Sequence, residues 1–337
     1  MAALPLVKLH ALAPKTPAAF FALLSEKSPR TTKEGLPFYS LRFRDRRRTV
    51  STVLWSDSPW FERCETQWSV GKLYRIQGVL FETDRFGPSL TIRDLRDVNE
   101  ADKQDGLDEA DFFDCSRFDS SEMFEALLNL AESECESKSV NVLIVNLLQK
   151  SRDVILGLPA SCERYFPFPG GWLEHTLSVC KTSLWLADHY RQQYGELQPP
   201  LNRDLILAGA ILHEIGRIEE WQPMQPGQPP EPTIPGRLLG HSLLARDMIR
   251  AAAATVPDLD SEFVSLLEHV VLTHLTLPKW GSPRLPAIPE VLIIHHADDL
   301  DAKMEMYVRC LMTDGSTGPF TNPDPILKKP LLKQRKA

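Results

Sequence analysis

The chain has no paired cysteines. Its six thiols, Cys64, Cys115, Cys135, Cys162, Cys180 and Cys310, are scattered without a single CxxC spacing. That spacing argues against a zinc knuckle and against a disulfide framework, and leaves buried or incidental thiols as the expectation. Also missing is any apolar run near the roughly 20 residues that would span a bilayer, so no membrane partner is expected. The opening MAALPLVKLHALAPK lacks both a basic n-region and a continuous apolar h-region. It therefore does not read as a signal peptide, and a cytoplasmic location is expected. An overall positive charge is absent too, the net value being −7, but the deficit is uneven. Residues 1–100 carry 16 Lys/Arg against 11 Asp/Glu, residues 101–150 carry 4 against 12, and residues 151–337 carry 18 against 22, giving +5, −8 and −4. The basic excess lies in the N-terminal part, where a phosphate-rich partner would be met.

A chain of 337 residues exceeds the size at which one hydrophobic core usually stops growing, which predicts two domains. In PFYSLRFRDR, residues 37–46, Leu41 and Phe43 alternate with Arg42 and Arg44, the period of a half-buried strand. Strand-like runs follow at 48–55, 71–83 and 88–98, and VKLHAL near the start supplies a fifth candidate. Five short strands in about 100 residues, with a polar and partly helical stretch at 57–69, suit a small closed barrel better than a sandwich. An OB-type all-β domain over residues 1–105 is the expectation. The acidic stretch 106–120 reads as a linker, helical periodicity governs 121–314, and the basic, proline-containing tail 315–337 is expected to be disordered.

The chemistry-bearing residues gather in the helical part. GWLEHTLSVCKTSLWLADHY carries apolar stripes on two faces, with His175 on one of them. Taken singly, a residue such as His175 is more often a hydrogen-bonded core histidine than a ligand. LAGAILHEIGRIEEW is apolar up to Leu212, so its helix should be covered all round, and His213 and Glu214 follow directly. An ionised carboxylate in such surroundings needs a cation, a metal or a shifted pKa; an ion pair between Glu214 and Arg217 is the plainer alternative. His241 follows Gly240 at a helix start. His274 shares a face with Phe263, Leu267 and Val270, and EVLIIHHADDLDAKM sets Asp298, Asp299 and Asp301 on an otherwise apolar helix. Imidazoles and carboxylates turned inward on successive core helices make a common metal the economical explanation, because helix bundles build metal sites this way.

The order GGWLEHTLSV, LAGAILHEIGRIEE, GRLLGH, VLTH…WGSP and HHADDLDAKM resembles the HD domain of the YhaM family, and ADFFDCSRFDSSEMFEAL resembles that family's segment between barrel and HD domain. The resemblance extends over residues 35–310. It implies a 3′-to-5′ exonuclease acting on single-stranded RNA or DNA, dependent on one or two divalent ions, with Mn²⁺ foremost and Fe²⁺, Mg²⁺ or Zn²⁺ as alternatives. It places His175, His213, Glu214 and Asp298 at the defining metal positions, and His241 and His274 at the further histidine positions of two-metal proteins. Arg217 would present charge to the phosphate, making His213, Glu214 and Arg217 the catalytic candidates. Arg42, Arg44, Arg46, Arg47 and Arg48 would hold the strand, helped by aromatics such as Tyr39, Phe43, Trp55 or Tyr74, although an arginine run is also an ordinary solvated face and most of those aromatics should be core. The chain departs from the family in reading His213-Glu214-Ile215-Gly216-Arg217 for His-Asp-Ile-Gly-Lys, and His274-Leu275-Thr276-Leu277 for His-His-Gly-Glu. A binding protein without turnover and a nucleotide phosphohydrolase are the competing expectations.

Overall fold

A computed structural model describes residues 4–83, 87–113, 115–222, 230–316 and 318–333. Its contacts divide the chain between Asp114 and Cys115 into two compact units.

The first unit is a five-stranded sheet: β1 (Pro17–Thr31), β2 (Pro37–Arg44), β3 (Thr49–Trp55), α1 (Phe61–Gln67), β4 (Leu73–Thr83), β5 (Gly87–Asp97) and a short α2 (Ala101–Gln104). The strand order β1-β2-β3-β5-β4 closes on itself. Closure comes from a parallel bridge between β3 and β5. Leu41, Phe43 and Val50 fill the interior from alternate positions while Arg42 stays exposed, as the period-2 pattern predicts.

Two expectations need correcting here. VKLHAL is not a strand. Leu9–Ala11 forms a 3₁₀ turn, and the fifth strand is β1. Its run AAFFALL conceals the strand period because both faces are covered: Phe20, Ala22 and Leu24 join the barrel core, whereas Phe21 and Leu23 pack with Phe112 on the outside. A strand buried on both faces shows a continuous apolar run. Phe112 also corrects the linker, since that part of the acidic stretch is pinned to the sheet by a buried ring.

The second unit is helical: α3 (Ser120–Glu134), α4 (Lys138–Lys150), α5 (Arg152–Ile155), α6 (Gly171–Gln193), α7 (Arg203–Leu212), α8 (Arg217–Glu220), α9 (Ile234–Ala253), α10 (Ser261–Thr273) and α11 (Pro289–Thr313). Asp119, Ser137, Asn202, Thr233 and Asp260 each accept a backbone N–H at a helix start, satisfying donors the helix itself cannot. Every residue of α7 from Leu205 to Leu212 is buried, the central position its apolar run predicts. The tail differs from the expected disorder. Thr321 N–H donates to Leu331 O at 2.8 Å, Phe320 pairs with Leu332, and Lys333 forms an ion pair with Asp314. Leu331 is buried by this fold-back. Residues 317 and 334–337 of the tail lie outside the described residues.

Candidate metal centre

Two of the most apolar helices end on the same spot. α7 stops at Leu212 and α10 at Thr273, so His213 and His274 become their C-caps. The last carbonyls of a helix lack intrahelical donors, and here the imidazoles supply them. His213 Nδ1 lies 2.9 Å from Ala210 O, and His274 Nδ1 lies 2.8 Å from Val271 O. Each Nδ1 must therefore carry the proton, which leaves Nε2 a bare lone pair. Both rings are fully buried, their centroids are 5.3 Å apart, and neither Nε2 has a hydrogen-bond partner. The negative ends of two helix dipoles also point here, which favours a cation.

His175, in the first turns of α6, is placed by a different acceptor. Its Nδ1 is 2.7 Å from Asp301 Oδ2, and Ser178 Oγ donates to the other oxygen of that carboxylate at 2.5 Å. The opposite nitrogen, Nε2, faces Asp298 Oδ1 at 3.2 Å without hydrogen-bond geometry. A lone pair against a carboxylate repels, so either a second proton or a cation must lie between them. Burial alone would push His175 down, but Asp298 and Asp301 outweigh it and raise its pKa to about 10. Burial, with His213 and His241 alongside, drops His274 to about 3. His213 is lowered by burial too. His175, His213 and Asp298 thus present ligand atoms within 4.8 Å of one another.

His241 completes a chain of rings, its centroid 5.6 Å from that of His274. Gly240, at φ 74°, breaks α9, and His241 opens the second segment with its N–H donating to Glu220 Oε1 at 3.2 Å. The Nε2 of His241 is buried without a partner. Gly216, in the His213–Arg217 run, has a structural reason: a Cβ there would lie 2.0 Å from His241 O. The absence of a side chain lets α8 and α9 close and brings His241 to the other rings.

Glu214 and Arg217 are not brought into the ligand group. Glu214 Oε1 accepts from Arg217 Nη2 at 2.8 Å and from the Tyr165 hydroxyl at 2.7 Å. Arg217 uses its other terminal nitrogen on Glu220. This is the ion-pair alternative that the sequence left open. Burial opposes ionisation of Glu214, yet Arg217 and the neighbouring histidines hold its carboxyl well below the usual range. Two carboxylates engage the terminal nitrogens of Arg217, while its Nε is buried without a hydrogen-bond partner. Glu214 retains one buried oxygen, Oε2, without a partner. Asp299 sits outside, paired with Lys303 at 2.6 Å, whereas Asp301 holds His175. Tyr165 was not foreseen; only its position in YFPFPGG, directly ahead of α6, could have drawn attention to it.

The arginine run divides. Arg42 lies exposed on β2, paired with Glu26 at 2.9 Å, and Arg44 ends the strand half-buried. Arg46, Arg47 and Arg48 lie in the turn before β3, not on a strand, and Asp45 accepts the backbone N–H groups of Arg47 and Arg48 at 2.8 and 2.6 Å. The guanidinium of Arg48 reaches Leu12 O at 3.1 Å. Tyr39, Phe43 and Tyr74 are core, and Trp55 alone of the four candidate aromatics is exposed, tilted against Phe38 at 5.0 Å.

The sequence model of the HD domain family matches residues 172–303, the segment that contains His175, His213, His241, His274 and Asp298. These residues are an HD domain. The chain is similar to curated proteins named 3′-5′ exoribonuclease YhaM from Bacillus subtilis (strain 168), Bacillus licheniformis and Bacillus velezensis, at 27% identity in each case, covering 86% of this chain and 86% of theirs. The resemblance therefore extends well beyond the HD domain. An HD domain holding a His/Asp cluster, together with relatives of this kind, points to hydrolytic chemistry.

Proposed function

We propose that the protein is a divalent-metal-dependent phosphodiesterase that removes nucleotides from the 3′ end of single-stranded RNA. In this reading the N-terminal unit is an OB-type barrel that holds the strand, and the HD cluster is the active site. The observation that carries it is the set of inward, partnerless Nε2 atoms of His175, His213, His241 and His274 beside buried Asp298. Leaving several buried lone pairs unsatisfied costs about 1–3 kcal/mol each unless a cation meets them. His175, His213 and Asp298 would hold one ion, and His241 and His274 would take a second or contact the scissile phosphate. Nitrogen and carboxylate donors without thiolate suit Mn²⁺, and also Fe²⁺, Mg²⁺ or Zn²⁺.

A bound divalent ion supplies Lewis-acid activation of water and offsets charge on the phosphate. The chain's own groups prepare that space. Ala210 O and Val271 O fix the proton on Nδ1 of His213 and His274 and so keep their Nε2 atoms open, and Asp301 orients His175 so that its Nε2 would meet the ion beside Asp298. Glu220 ties the Arg217–Glu214 pair to the backbone of His241, making these three positioning residues. On the barrel, exposed Arg42, Arg46 and Arg47 with half-exposed Trp55 would give the strand charge and one stacking face.

One observation favours a competing reading. Glu214 is engaged by Arg217 and Tyr165 where the family motif places a ligating aspartate, which suits a binding protein without turnover. Elemental analysis after Mn²⁺ loading, together with shortening of 5′-labelled RNA, decides between them. Wild type should hold metal and shorten RNA stepwise. Asp298→Asn should lose both, and Glu214→Gln should retain more metal than Asp298→Asn does. Metal-loaded wild type that leaves RNA intact would establish the binding protein, and preference for mononucleotides would establish the nucleotide phosphohydrolase.

A further inference from the structure

Directly after His274 the chain makes a short loop, residues 275–288, that contains Lys279 and Arg284 and no acidic residue. In a chain of net charge −7, such a segment beside a histidine cluster needs an explanation. Its tip is Trp280, about half exposed (49%). An exposed tryptophan on a loose loop would be unremarkable, but this loop is fixed at several points. Trp280 N–H donates to Leu277 O at 2.9 Å and Gly281 N–H to Pro278 O at 3.0 Å, while Gly281 turns the chain at φ 108°. Buried Ser282 anchors the far side by donating to Arg284 O at 2.5 Å.

The indole is also held from behind. It stacks on His295 with centroids 6.1 Å apart and planes 24° from parallel, and His295 Nδ1 lies 2.8 Å from His274 O. One imidazole thus connects the indole to the backbone of a residue whose own ring points into the metal centre. Lys279 Nζ lies over the indole ring, 5.3 Å from its centroid. A solvent-facing aromatic backed by His295, with a flexible lysine able to swing from the ring to a phosphate, is what a single strand needs from a protein: a flat face for a base and positive charge for the flanking phosphates. A protein partner would also be served by charge complementarity, but the aromatic beside the hydrolytic centre favours the strand that the centre would cut.

We propose that the Lys279–Trp280 loop is the platform on which a base of the single strand stacks close to the HD centre, with Lys279 and Arg284 drawing its phosphates. The proposal rests on the reading of the protein as a nuclease of single strands. It makes Trp280 a substrate-binding residue that sets how the 3′-terminal stretch is presented.

The test is a cycle between protein and substrate. The kcat/KM for shortening is measured with an intact oligonucleotide and with oligonucleotides carrying one abasic site at each of the last several positions, for wild type, Trp280→Ala and Trp280→Phe. Stacking is worth about 1–3 kcal/mol per base, so one abasic position should slow wild type about tenfold. At that position Trp280→Ala should show no further loss, and Trp280→Phe, which keeps a flat ring, should retain a penalty there. Abasic penalties of equal size at every position in all three proteins would overturn the platform while leaving the nuclease reading intact. If wild type shortens no oligonucleotide at all, the nuclease reading fails and the platform fails with it.

Discussion

At the residue scale, the most telling feature is which nitrogen of each histidine is occupied. The sequence places His175, His213, His241 and His274 on or beside core helices, but does not show that carbonyls of Ala210 and Val271 would select the open nitrogen of His213 and His274, or that Asp301 would orient His175. Helical spacing reveals that a side chain faces inward; it does not reveal which acceptor lies behind the ring. The same limit explains Glu214, whose burial was legible and whose partner was not, because Tyr165 reaches it from 49 residues away. A second buried carboxylate gives a prediction of its own. Asp102, 1% exposed, accepts from Arg96 at 2.6 Å, from Arg75 at 2.7 Å and from Asn99 N–H at 2.8 Å. The Arg96 bond above all, against an opposing burial effect, depresses its pKa. A depressed folded pKa means the stabilisation is fully present above the unfolded value of about 3.9 and is lost as pH falls below it toward the folded value. Asp102→Asn should therefore lower the melting temperature near neutrality, by an amount equivalent to roughly 1–3 kcal/mol. The difference from wild type should shrink on going from about pH 5 to pH 3. A difference that stays constant across that range would show that the carboxylate's charge is not what matters.

At the element scale, legibility followed burial. β2 and β3 alternate because one face of each is solvated, and α7 showed itself by having no polar face at all. β1 was missed because its apolar run is buried on both sides, Phe20 toward the barrel and Phe21 toward Phe112, a partner that local sequence does not announce. Close approach of elements left one readable mark, glycine. Gly216 admits the backbone of α9, and a Cβ there would meet both His241 O at 2.0 Å and Ala245 N at 2.5 Å. Backbone cannot swing aside as a side-chain tip can, so Gly216→Ala should force α8 and α9 apart. We expect it to cost about 1–3 kcal/mol, as overpacking does, and to displace His241, lowering hydrolysis more than the stability loss accounts for. Gly157, with nothing within 4 Å of an added Cβ, is the control, and Gly157→Ala should be neutral or mildly stabilising. Equal behaviour of the two variants in thermal melting would remove the packing argument for Gly216.

At the scale of the whole molecule, the two units offer separable tasks, and the fold indicates where to separate them. A cut at residue 105, the edge suggested by composition, would leave Phe112 on the helical fragment and strip Phe21 and Leu23 of their partner. The division between Asp114 and Cys115 keeps that cluster with the barrel. Beyond it, Asp119 caps α3, and all the histidines of the centre belong to the second unit. A fragment beginning at Cys115 should therefore fold, keep its metal and still hydrolyse short oligonucleotides. It should bind long single strands more weakly, because the N-terminal hundred residues hold the only positive block of the three, +5 against −8 and −4. Charge on the barrel has a measurable signature, since every phosphate that the protein ceases to neutralise reduces the slope of log K against log salt by about 0.7 for a single strand. If two or three exposed arginines engage the strand, the slope should flatten by roughly 1.5–2 on truncation. Weaker binding with an unchanged slope would assign the barrel a packing role, and unchanged affinity for long strands at low salt would show that the helical unit alone grips the substrate.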